Sequence, residues 1–362
     1  GFAARRGGGG GGDGKDCVVL TGPVVAFTFY YHYGAGNYYH FVYDTLLPLF
    51  ALLEAQGWLL PASPGEQRVL WPTVEHGSLV GFDEGVDWST DAFSRRRDDG
   101  SLPYWHEALV SIFGAWEVEP LTNATLERRL QRAGLGTSVD GSEAGVGSGR
   151  EGRRRRRRPT PPAYVYCVEE LVAGLPKMDF GDVALVSRFV AFVQTQLALP
   201  RRRVECEGGE DGWRGLRAGF VRRANRRRVV NHEALTSIMG AHLETDVLRL
   251  ERLSFREQLA RMGNYALLVG MQGAGLINAL FLPEGAHMIV LFQFNAASDS
   301  FAQLLRPRVG SYRRWVNQDR KSSVNDPKKD PFHDIADTVV DEEEFEMMLK
   351  AALGEMCPQG GR

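Results

Sequence analysis

The sequence lacks a long apolar run, and it contains few cysteines and little net charge. Each of these three features argues against a class of protein. No apolar run reaches the roughly 18 residues that a membrane-spanning helix needs. The four cysteines form no CxxC pair, which argues against a zinc site, whereas their even number permits disulfides. A formal net charge of −2 argues against a protein that binds nucleic acid through its overall charge.

The length and the start of the chain bear on its organisation. Its 362 residues suffice for two domains with separate cores. The chain begins at Gly1 in a glycine-rich segment without a recognisable signal peptide, so we expect a piece of a longer protein with any membrane anchor upstream. The triplet Asn123-Ala124-Thr125 can accept an N-linked glycan, which favours the lumen of the secretory pathway.

Two segments have compositions that do not support a packed core. Residues 1–15 are rich in glycine and are predicted to be a disordered tail. Residues 134–162 contain almost no large apolar side chain, which predicts a disordered insertion. The insertion carries the six arginines Arg153–Arg158, which indicate either a solvated loop or a basic patch for RNA binding or nuclear import.

Strand and helix patterns alternate through the second half of the chain, and the first half shows a rougher version of the same alternation. Strands are predicted at residues 17–29, 69–72, 163–168, 217–221, 247–250, 267–269 and 287–292. Helices are predicted at residues 38–56, 182–199, from 232 with Asn231 as the cap, 254–262 with a capping box, and from 341. This order predicts a parallel sheet covered by helices.

Three glycines lie where one of these strands gives way to a helix, in LLVGMQGAGLINALFLPEGAHMIVLF. Gly270, Gly273 and Gly275 let the backbone approach another group closely. The start of the following helix offers N–H groups and a partial positive charge, and the combination predicts an anion site, most often for phosphate. The alternative is a tight turn whose glycines serve packing alone.

The same turn departs from the pattern of NAD-binding oxidoreductases. Asn278 replaces the third glycine of GxGxxG, and Gln293 ends the next strand where an acidic residue holds the ribose in such enzymes. The glycines therefore indicate a nucleotide phosphate without indicating NAD.

Five arginines follow the predicted strand 217–221 in FVRRANRRRVVNHEAL. The carboxyl edge of a parallel sheet is where doubly wound folds bind ligands, and guanidinium groups bind phosphate oxygens in pairs. We expect one or two of these side chains at a diphosphate and the others in a solvated basic turn. The five are Arg222, Arg223, Arg226, Arg227 and Arg228.

A histidine and a carboxylate share one helix face in GAGNYYHFVYDTLLPLF, because His40 and Asp44 are four residues apart. They fit a proton-transfer pair, with Asp44 orienting His40 as the base or with Asp44 acting alone. They also fit two ligands of a metal site that lacks a third ligand, or a histidine that is hydrogen-bonded within its helix.

Three segments, in this order, resemble glycosyltransferase family 61, and the resemblance covers residues 20–350. GNYYHFVYDTLLPLF resembles the N-x-Y-H segment with its following Asp. RRANRRRVVNHEAL resembles the R-x-x-x-R-R-x-x-N-E segment and selects Arg223, Arg227 and Arg228. SFREQLARMGNYALLVGMQGAGLINALFLPEGAHMIVLF resembles the F-x-E-Q…H-G-A-G-L-x-N…F-x-P segment, with Gln272 in place of the usual His and Val290 in place of a Glu.

The resemblance implies a fold and a reaction. The implied fold is α/β and GT-B-like, with two Rossmann-like domains facing a cleft. We expect an acceptor-side domain at residues 16–180 and a nucleotide-sugar-binding domain at residues 181–354. The implied reaction is an inverting transfer of GlcNAc, xylose or arabinose from a UDP-sugar to a hydroxyl of a glycan or glycoprotein. The implied location is the Golgi or endoplasmic reticulum lumen, as a type II membrane protein.

The resemblance also implies site residues. Asp44 or His40 takes the proton of the acceptor, and no obligatory cofactor, metal or nucleic acid is expected. The donor diphosphate is held by Arg223, Arg227, Arg228, Gln272, Gly273, Ala274, Gly275, Leu276 and Asn278. One alternative is a catalytically silent relative that binds UDP or a glycan, as Gln272 and Val290 suggest. Another is an RNA-associated protein that uses Arg153–Arg158.

Overall fold

The protein was analysed as a computed structural model, which describes residues 4–5, 17–29, 38–60, 66–74, 104–118, 165–177, 182–207, 212–224, 227–294, 296, 299, 302–324 and 336–358. The predicted insertion at 134–162, the run Arg153–Arg158, the Asn123 triplet and Arg226 lie outside these residues. Most of the predicted tail at 1–15 also lies outside them.

The described strands, in chain order, are β1 Ala4–Arg5, β2 Cys17–Phe29, β3 Val69–Val74, β4 Glu117–Val118, β5 Val165–Ala173, β6 Arg217–Val221, β7 Glu244–Leu248, β8 Leu267–Met271, β9 His287–Phe292, β10 Ser311–Val316, β11 Ser323–Val324 and β12 Asp337–Thr338. The described α-helices are α1 Tyr38–Phe41, α2 Leu47–Ala55, α3 Tyr104–Ile112, α4 Val183–Gln196, α5 His232–Gly240, α6 Phe255–Met262, α7 Ala302–Leu305 and α8 Glu342–Met356. A π-helical segment, Val42–Leu46, joins α1 to α2, and 3-10 helices occupy Leu250–Arg252, Ala274–Phe281, Arg306–Arg308 and Arg320–Ser322.

The chain packs into two compact units. The first comprises Gly1–Thr28, Trp58–Val74 and Ala115–Gly174, and the second comprises Phe29–Gly57, Glu75–Gly114 and Leu175–Arg362. Helices α1 and α2 thus belong to the unit that contains the second half of the chain. The predicted domain boundary at residue 180 stays a prediction, and the compact units follow a different division.

The first unit is built on a five-stranded sheet in which β2 is the longest strand. β2 pairs in parallel with β5, and β3 pairs in parallel with β4. β1 pairs antiparallel with the start of β2, so residues 4–5 of the predicted disordered tail are ordered as a strand. The core of this sheet contains the buried side chains of Val24, Val69 and Trp71.

The second unit is built on a five-stranded sheet whose pairings are all parallel, in the order β10-β9-β8-β6-β7. Every residue of β8 and β9 is buried, as expected for parallel strands covered by helices on both faces. The predicted α/β class with a parallel sheet is therefore confirmed. The parallel edge strand β10 was not predicted.

Helix α8 closes one side of this sheet. Its predicted start is confirmed, because the Asp341 side chain accepts a hydrogen bond from the N–H of Glu344 at 2.8 Å. Phe345 and Leu349 are fully buried against the sheet. A disulfide joins Cys206, ahead of β6, to Cys357 at the end of α8, across 151 residues. Closing a loop of that length stabilises the fold by about 5 kcal/mol in the chain-entropy description.

Two predicted helix starts have different outcomes. The capping box of α6 is confirmed, since Ser254 and Glu257 exchange hydrogen bonds between side chain and backbone. Asn231 occupies the predicted cap position, with the helix starting at His232, but its side chain makes no capping hydrogen bond. Its amide instead donates to the carbonyl of Val340 at 2.9 Å and accepts from the Val340 N–H at 3.0 Å, because an extended backbone segment lies beside it and needs partners.

The predicted continuous helix at residues 38–56 contains a π-helical segment. Pro48 lies in the first turn of α2 and has no N–H, and its ring crowds the carbonyl four residues earlier, which belongs to Asp44. The Leu47 N–H bonds to the carbonyl of Val42, five residues back. We attribute the wider turn to this proline, and it determines where Asp44 is held.

Candidate functional site

The strand order of the second unit reverses between β6 and β8. β6 connects along the chain to β7 on one side, whereas β8, on the other side of β6, leads to β9 and β10. Open parallel sheets bind ligands at the carboxyl ends of strands where the order reverses. Arg222 and Arg223 follow β6 at this edge, and residues 272–275, called the glycine turn below, follow β8.

Arg223 packs directly on the glycine turn. Its Nη1 donates a hydrogen bond to the carbonyl of Gln272 at 3.3 Å. A Cβ atom placed on Gly273 would lie 1.5 Å from the same Nη1, so the guanidinium occupies the space of the missing side chain. Gly273 itself is extended, with φ of 168°. The glycine is therefore needed for the close approach of a positive charge.

The other two glycines of this segment serve packing. A Cβ on Gly270 would lie 3.0 Å from Val221 in β6, and one on Gly275 would lie 2.9 Å from Leu250. The packing alternative raised by the sequence thus holds for these two positions. At Gly273 the neighbour is a charged group, which is what an anion site requires.

The helix that starts in the glycine turn is a 3-10 helix, Ala274–Phe281. The N–H of Leu276 donates to the carbonyl of Gly273 at 2.9 Å and is therefore committed within the turn. Ala274 and Gly275 precede Leu276, the first donor of the helix, so their N–H groups have no intrahelical partner. These two N–H groups are the donors that the turn can offer to an anion.

Asn278 connects three elements of the second unit. The hydroxyl of Tyr38 in α1 donates to Asn278 Oδ1 at 2.7 Å, and Asn278 Nδ2 donates to Gln258 Oε1 in α6 at 2.8 Å. Asn278 is fully buried. Its amide therefore holds α1 and α6 against the 3-10 helix, and its predicted place in the donor site stays a prediction.

His40 and Asp44 form a hydrogen-bonded pair next to this connection. His40 Nδ1 donates to Asp44 Oδ2 at 2.6 Å, and the two side chains are 25% and 19% exposed. Since a carboxylate can only accept, Nδ1 is the donor, and in the neutral form of the ring Nε2 then carries the lone pair. Such a pair can remove a proton from a hydroxyl. Burial, with help from Asp44, raises the pKa of neighbouring Tyr39 above its usual value, so this phenol stays protonated.

The three predicted arginines have different environments. Arg223 contacts the glycine turn, whereas Arg228 binds the buried carboxylate of Asp337 through Nε at 2.9 Å and Nη2 at 2.5 Å. The hydrogen bond with Asp337 raises the pKa of Arg228. Arg227 is half-buried and has φ of 54°, a left-handed conformation that costs a non-glycine residue about 1–3 kcal/mol.

Sequence reasoning missed the roles of Tyr38 and Gln258. Both lie in segments that it quoted, Tyr38 in NYYH and Gln258 in FREQ. The signal was the polar residue type beside an apolar helix face. The partner of each, Asn278, lies 240 and 20 residues away along the chain.

The described residues contain neither a metal-binding cluster nor a membrane-spanning helix. No group of three or more His, Cys, Asp or Glu side chains there is arranged to hold a metal ion. No helix in the described part of the chain is long and apolar enough to cross a membrane.

Comparisons with known proteins give a family and partial relatives. A model of the family Glycosyltransferase 61 matches residues 38–289. The EGF domain-specific O-linked N-acetylglucosamine transferase of Drosophila melanogaster is 38% identical over 160 residues, which are 40% of this chain and 29% of that protein. The protein of the same name from Gallus gallus is 30% identical over 171 residues, 42% of this chain and 31% of that one.

A second kind of relative and one solved structure also match. Protein O-linked-mannose beta-1,4-N-acetylglucosaminyltransferase 2 of Tetraodon nigroviridis is 30% identical over 114 residues, 30% of this chain and 20% of that protein. This chain thus covers less than a third of each of these curated relatives. The crystal structure of the glycosyl transferase family 9 from Veillonella parvula DSM 2008 aligns with 93% of this chain and 99% of that chain, at 11% identity and a TM-score of 0.33, which adds nothing to the fold argument.

Proposed function

Because this chain belongs to the glycosyltransferase 61 family, we propose that it transfers a sugar from a UDP-sugar to a hydroxyl group of a glycan or glycoprotein, with inversion at the anomeric carbon. Among GlcNAc, xylose and arabinose, we favour GlcNAc, since the names of the relatives state N-acetylglucosamine transfer. The proposed architecture is GT-B-like, with two Rossmann-like domains.

The observation that carries the proposal is the 2.7 Å hydrogen bond from Tyr38 to Asn278. It fastens the helix that bears His40 to the 3-10 helix that starts in the glycine turn, inside one compact unit. A group able to accept a proton and a turn able to bind a phosphate are therefore held by one short chain of contacts. A transfer reaction needs both, one for the acceptor and one for the leaving group.

The glycine turn is proposed to bind the diphosphate of the donor. Arg223 brings a permanent positive charge to Gly273. The N–H groups of Ala274 and Gly275 add donors at a helix start, where the partial charge is positive. These groups also stabilise the negative charge that develops on UDP as it leaves, so the proposed reaction has no obligatory cofactor. Arg227 is proposed to extend this site, and Arg228 acts indirectly through its bond to Asp337.

His40 is proposed as the general base. The acceptor oxygen forms a bond to the anomeric carbon while the bond from that carbon to the UDP oxygen breaks, and UDP leaves with the electron pair. The acceptor proton moves to His40 Nε2. Asp44, which holds Nδ1 at 2.6 Å, orients the ring and stabilises the imidazolium that forms.

The proposed location is the lumen of the Golgi or endoplasmic reticulum, with an anchor upstream of this chain. The Cys206–Cys357 disulfide supports an oxidising compartment. Protection of the intact protein from added protease in sealed microsomes tests this. Digestion without detergent would contradict a lumenal location.

The donor site is tested by ligand-observed NMR with UDP and a panel of nucleotide sugars. In Arg223→Ala we expect UDP affinity to fall about 10–150-fold, because a charge-assisted hydrogen bond is worth about 1.5–3 kcal/mol. Arg320→Ala, which removes an exposed arginine of a separate 3-10 helix, is the matched control. Equal UDP affinity in wild type and Arg223→Ala would remove the glycine turn from the donor site.

A second candidate is a catalytically silent relative that binds a UDP-sugar. It is favoured by Gln272, which cannot titrate where the family pattern has His, and by Val290, which is fully buried where the pattern has Glu. Binding of UDP-GlcNAc with neither transfer nor hydrolysis would support this candidate. Turnover that depends on His40 would reject it.

A further inference from the structure

A second concave site lies at the carboxyl ends of β6 and β7. It has a volume of about 490 Å³, and its lining includes Arg222, Arg249, Arg252 and Arg261, together with His232 and Glu233 at the start of α5. Its four arginines are neither among those that the family pattern selects nor part of the proposed donor site. We call it the arginine pocket.

The arginine pocket is on the other side of β6 from the glycine turn. Arg222 and Arg223 are consecutive at the end of a strand, where successive side chains point to opposite sides. Arg223 reaches the turn after β8, whereas Arg222 lines the pocket beside the residues that follow β7. The Arg222 N–H also donates to the carbonyl of Leu248 at 2.9 Å, which fixes the base of the pocket. One dipeptide thus serves two separate sites.

The pocket concentrates positive charge that the fold does not neutralise. In the described part of the chain, Arg222, Arg249 and Arg252 form no ion pair with a carboxylate. Other arginines of the same unit do, namely Arg188 with Glu54, Arg217 with Asp246, Arg313 with Glu355 and Arg314 with Asp299. Glu233 is the one carboxylate among the lining residues, and it is exposed. Three guanidinium groups beside one cavity favour a tetrahedral oxyanion with three free oxygens, as in a phosphate or sulfate ester, over a single carboxylate.

The pocket is large enough for a ligand bigger than a free ion. Its volume of about 490 Å³ is many times the roughly 30 Å³ that one water molecule occupies in the liquid. It falls within the range of pockets that bind small organic molecules. Leu248 and Leu253 supply an apolar wall beside the charges. The ligand should therefore carry its oxyanion on a body of about the size of a sugar.

We propose that the arginine pocket binds a phosphorylated or sulfated saccharide, at a site separate from that of the UDP-sugar donor. The saccharide is either an ester-bearing residue of the acceptor glycan or a free sugar phosphate. Arg222, Arg249 and Arg252 bind the oxyanion, and the apolar wall takes the ring. If the ester is part of the acceptor, the pocket selects which glycans the protein engages. With either source, the pocket takes no part in the chemical step.

The test is a calorimetric titration of the protein with glucose 6-phosphate, glucose 6-sulfate and glucose. We expect the two esters to bind wild type and glucose not to. Arg249→Gln and Arg252→Gln, made separately so that one survives a folding failure in the other, should each weaken ester binding about ten-fold or more. Arg320→Gln, an exposed arginine outside the pocket, should leave it unchanged.

UDP distinguishes the arginine pocket from the donor site. Arg249→Gln and Arg252→Gln should retain wild-type UDP affinity, whereas Arg223→Gln should lose UDP affinity and keep ester binding. Ester affinity that is the same in wild type and both pocket variants would overturn the proposal. A parallel loss of UDP and ester affinity in the pocket variants would also overturn it, because the pocket would then belong to the donor.

The two sources of the ester are distinguished by a pair of oligosaccharide acceptors, one phosphorylated and one not. A lower KM for the phosphorylated acceptor, lost in Arg252→Gln, identifies the ester as part of the acceptor. Equal KM values, with glucose 6-phosphate still binding, identify a free sugar phosphate. Either result supports the site, and only the titrations above decide whether it exists.

Discussion

Arg223 and Arg228 lie in the same segment after β6 but belong to two regions with different designs. Arg223 contacts the glycine turn through a backbone carbonyl at 3.3 Å. Arg228 belongs to what we call the Asp337 clamp, formed by Arg228, Asp337, Asn231 and Val340, in which the Asp337 carboxylate receives three hydrogen bonds. In the clamp, the charge of Arg228 is neutralised by the Asp337 carboxylate. At the glycine turn, the charge of Arg223 faces a backbone carbonyl. Identical residue types thus serve stability in one region and, in our proposal, ligand binding in the other.

The largest expected effect separates catalysis from stability at the His40–Asp44 pair. Asp44→Asn should lower kcat about 10²–10⁴-fold, because the ring loses the carboxylate that fixes its tautomer and stabilises its charge. UDP affinity and Tm should stay close to wild type. Steady-state kinetics and a thermal melt measure both. Unchanged kcat would mean that another group is the base.

The next effect tests whether Gly273 exists to admit Arg223. In Gly273→Ala the new methyl group would meet Nη1 at 1.5 Å, so the guanidinium must leave the turn. We expect UDP affinity to fall about ten-fold or more, as for the loss of a charge-assisted bond. Gly354→Ala is the matched control, since nothing lies within 4 Å of the added Cβ. If UDP affinity survives in Gly273→Ala, then the contact with Arg223 does not matter for binding.

Breaking the Asp337 clamp should lower stability and leave UDP binding intact, which is the opposite of the effect expected for Gly273→Ala. Asp337→Asn removes the charge that Arg228 binds and leaves a neutral amide in a buried position. We expect Tm to fall by several degrees, while UDP affinity of the folded protein is unchanged. A thermal melt with and without UDP measures this. Loss of UDP binding at a temperature where Asp337→Asn is folded would place Arg228 in the donor site.

The smallest expected effect concerns the hydrogen bond that links the helix bearing His40 to the 3-10 helix after the glycine turn. Tyr38→Phe removes the hydroxyl that bonds to the buried Asn278 at 2.7 Å, which should cost about 0.5–1.5 kcal/mol of folding free energy. We expect kcat to fall more than UDP affinity, since the base moves while the glycine turn keeps its own contacts. Urea unfolding and kinetics on the same preparation test this. If Tyr38→Phe keeps full activity, then the contact between Asn278 and Gln258 is enough to hold the site in place.

Local patterns predicted much of the fold. The bounds of β2, β6 and β9 agree with those predicted, because each is an apolar run between clear turn residues. The edge strand β10 was missed because its sequence, SYRRWV, is mostly polar; its arginines bind Glu355 and Asp299. The π-helical segment was missed because its hydrogen bonds depend on Pro48, which is compatible with an ordinary helix start.

The candidate site was predictable where it is local. His40 and Asp44 were paired from their spacing alone, and their contact follows from one helical turn. The sequence could not show which arginine contacts the glycine turn. Arg228 instead binds Asp337, which lies 109 residues later in the chain. The disulfide between Cys206 and Cys357 was also not predictable, since four cysteines allow three pairings.

The bond between Cys206 and Cys357 encloses every strand from β6 to β12 in one covalent ring. A single cut by a protease anywhere inside that ring therefore leaves the two pieces attached to each other. Such a nicked protein would migrate as one species on a non-reducing gel and would separate into fragments only after reduction. Damage to a surface loop of this unit could thus be tolerated without release of α8 from the sheet.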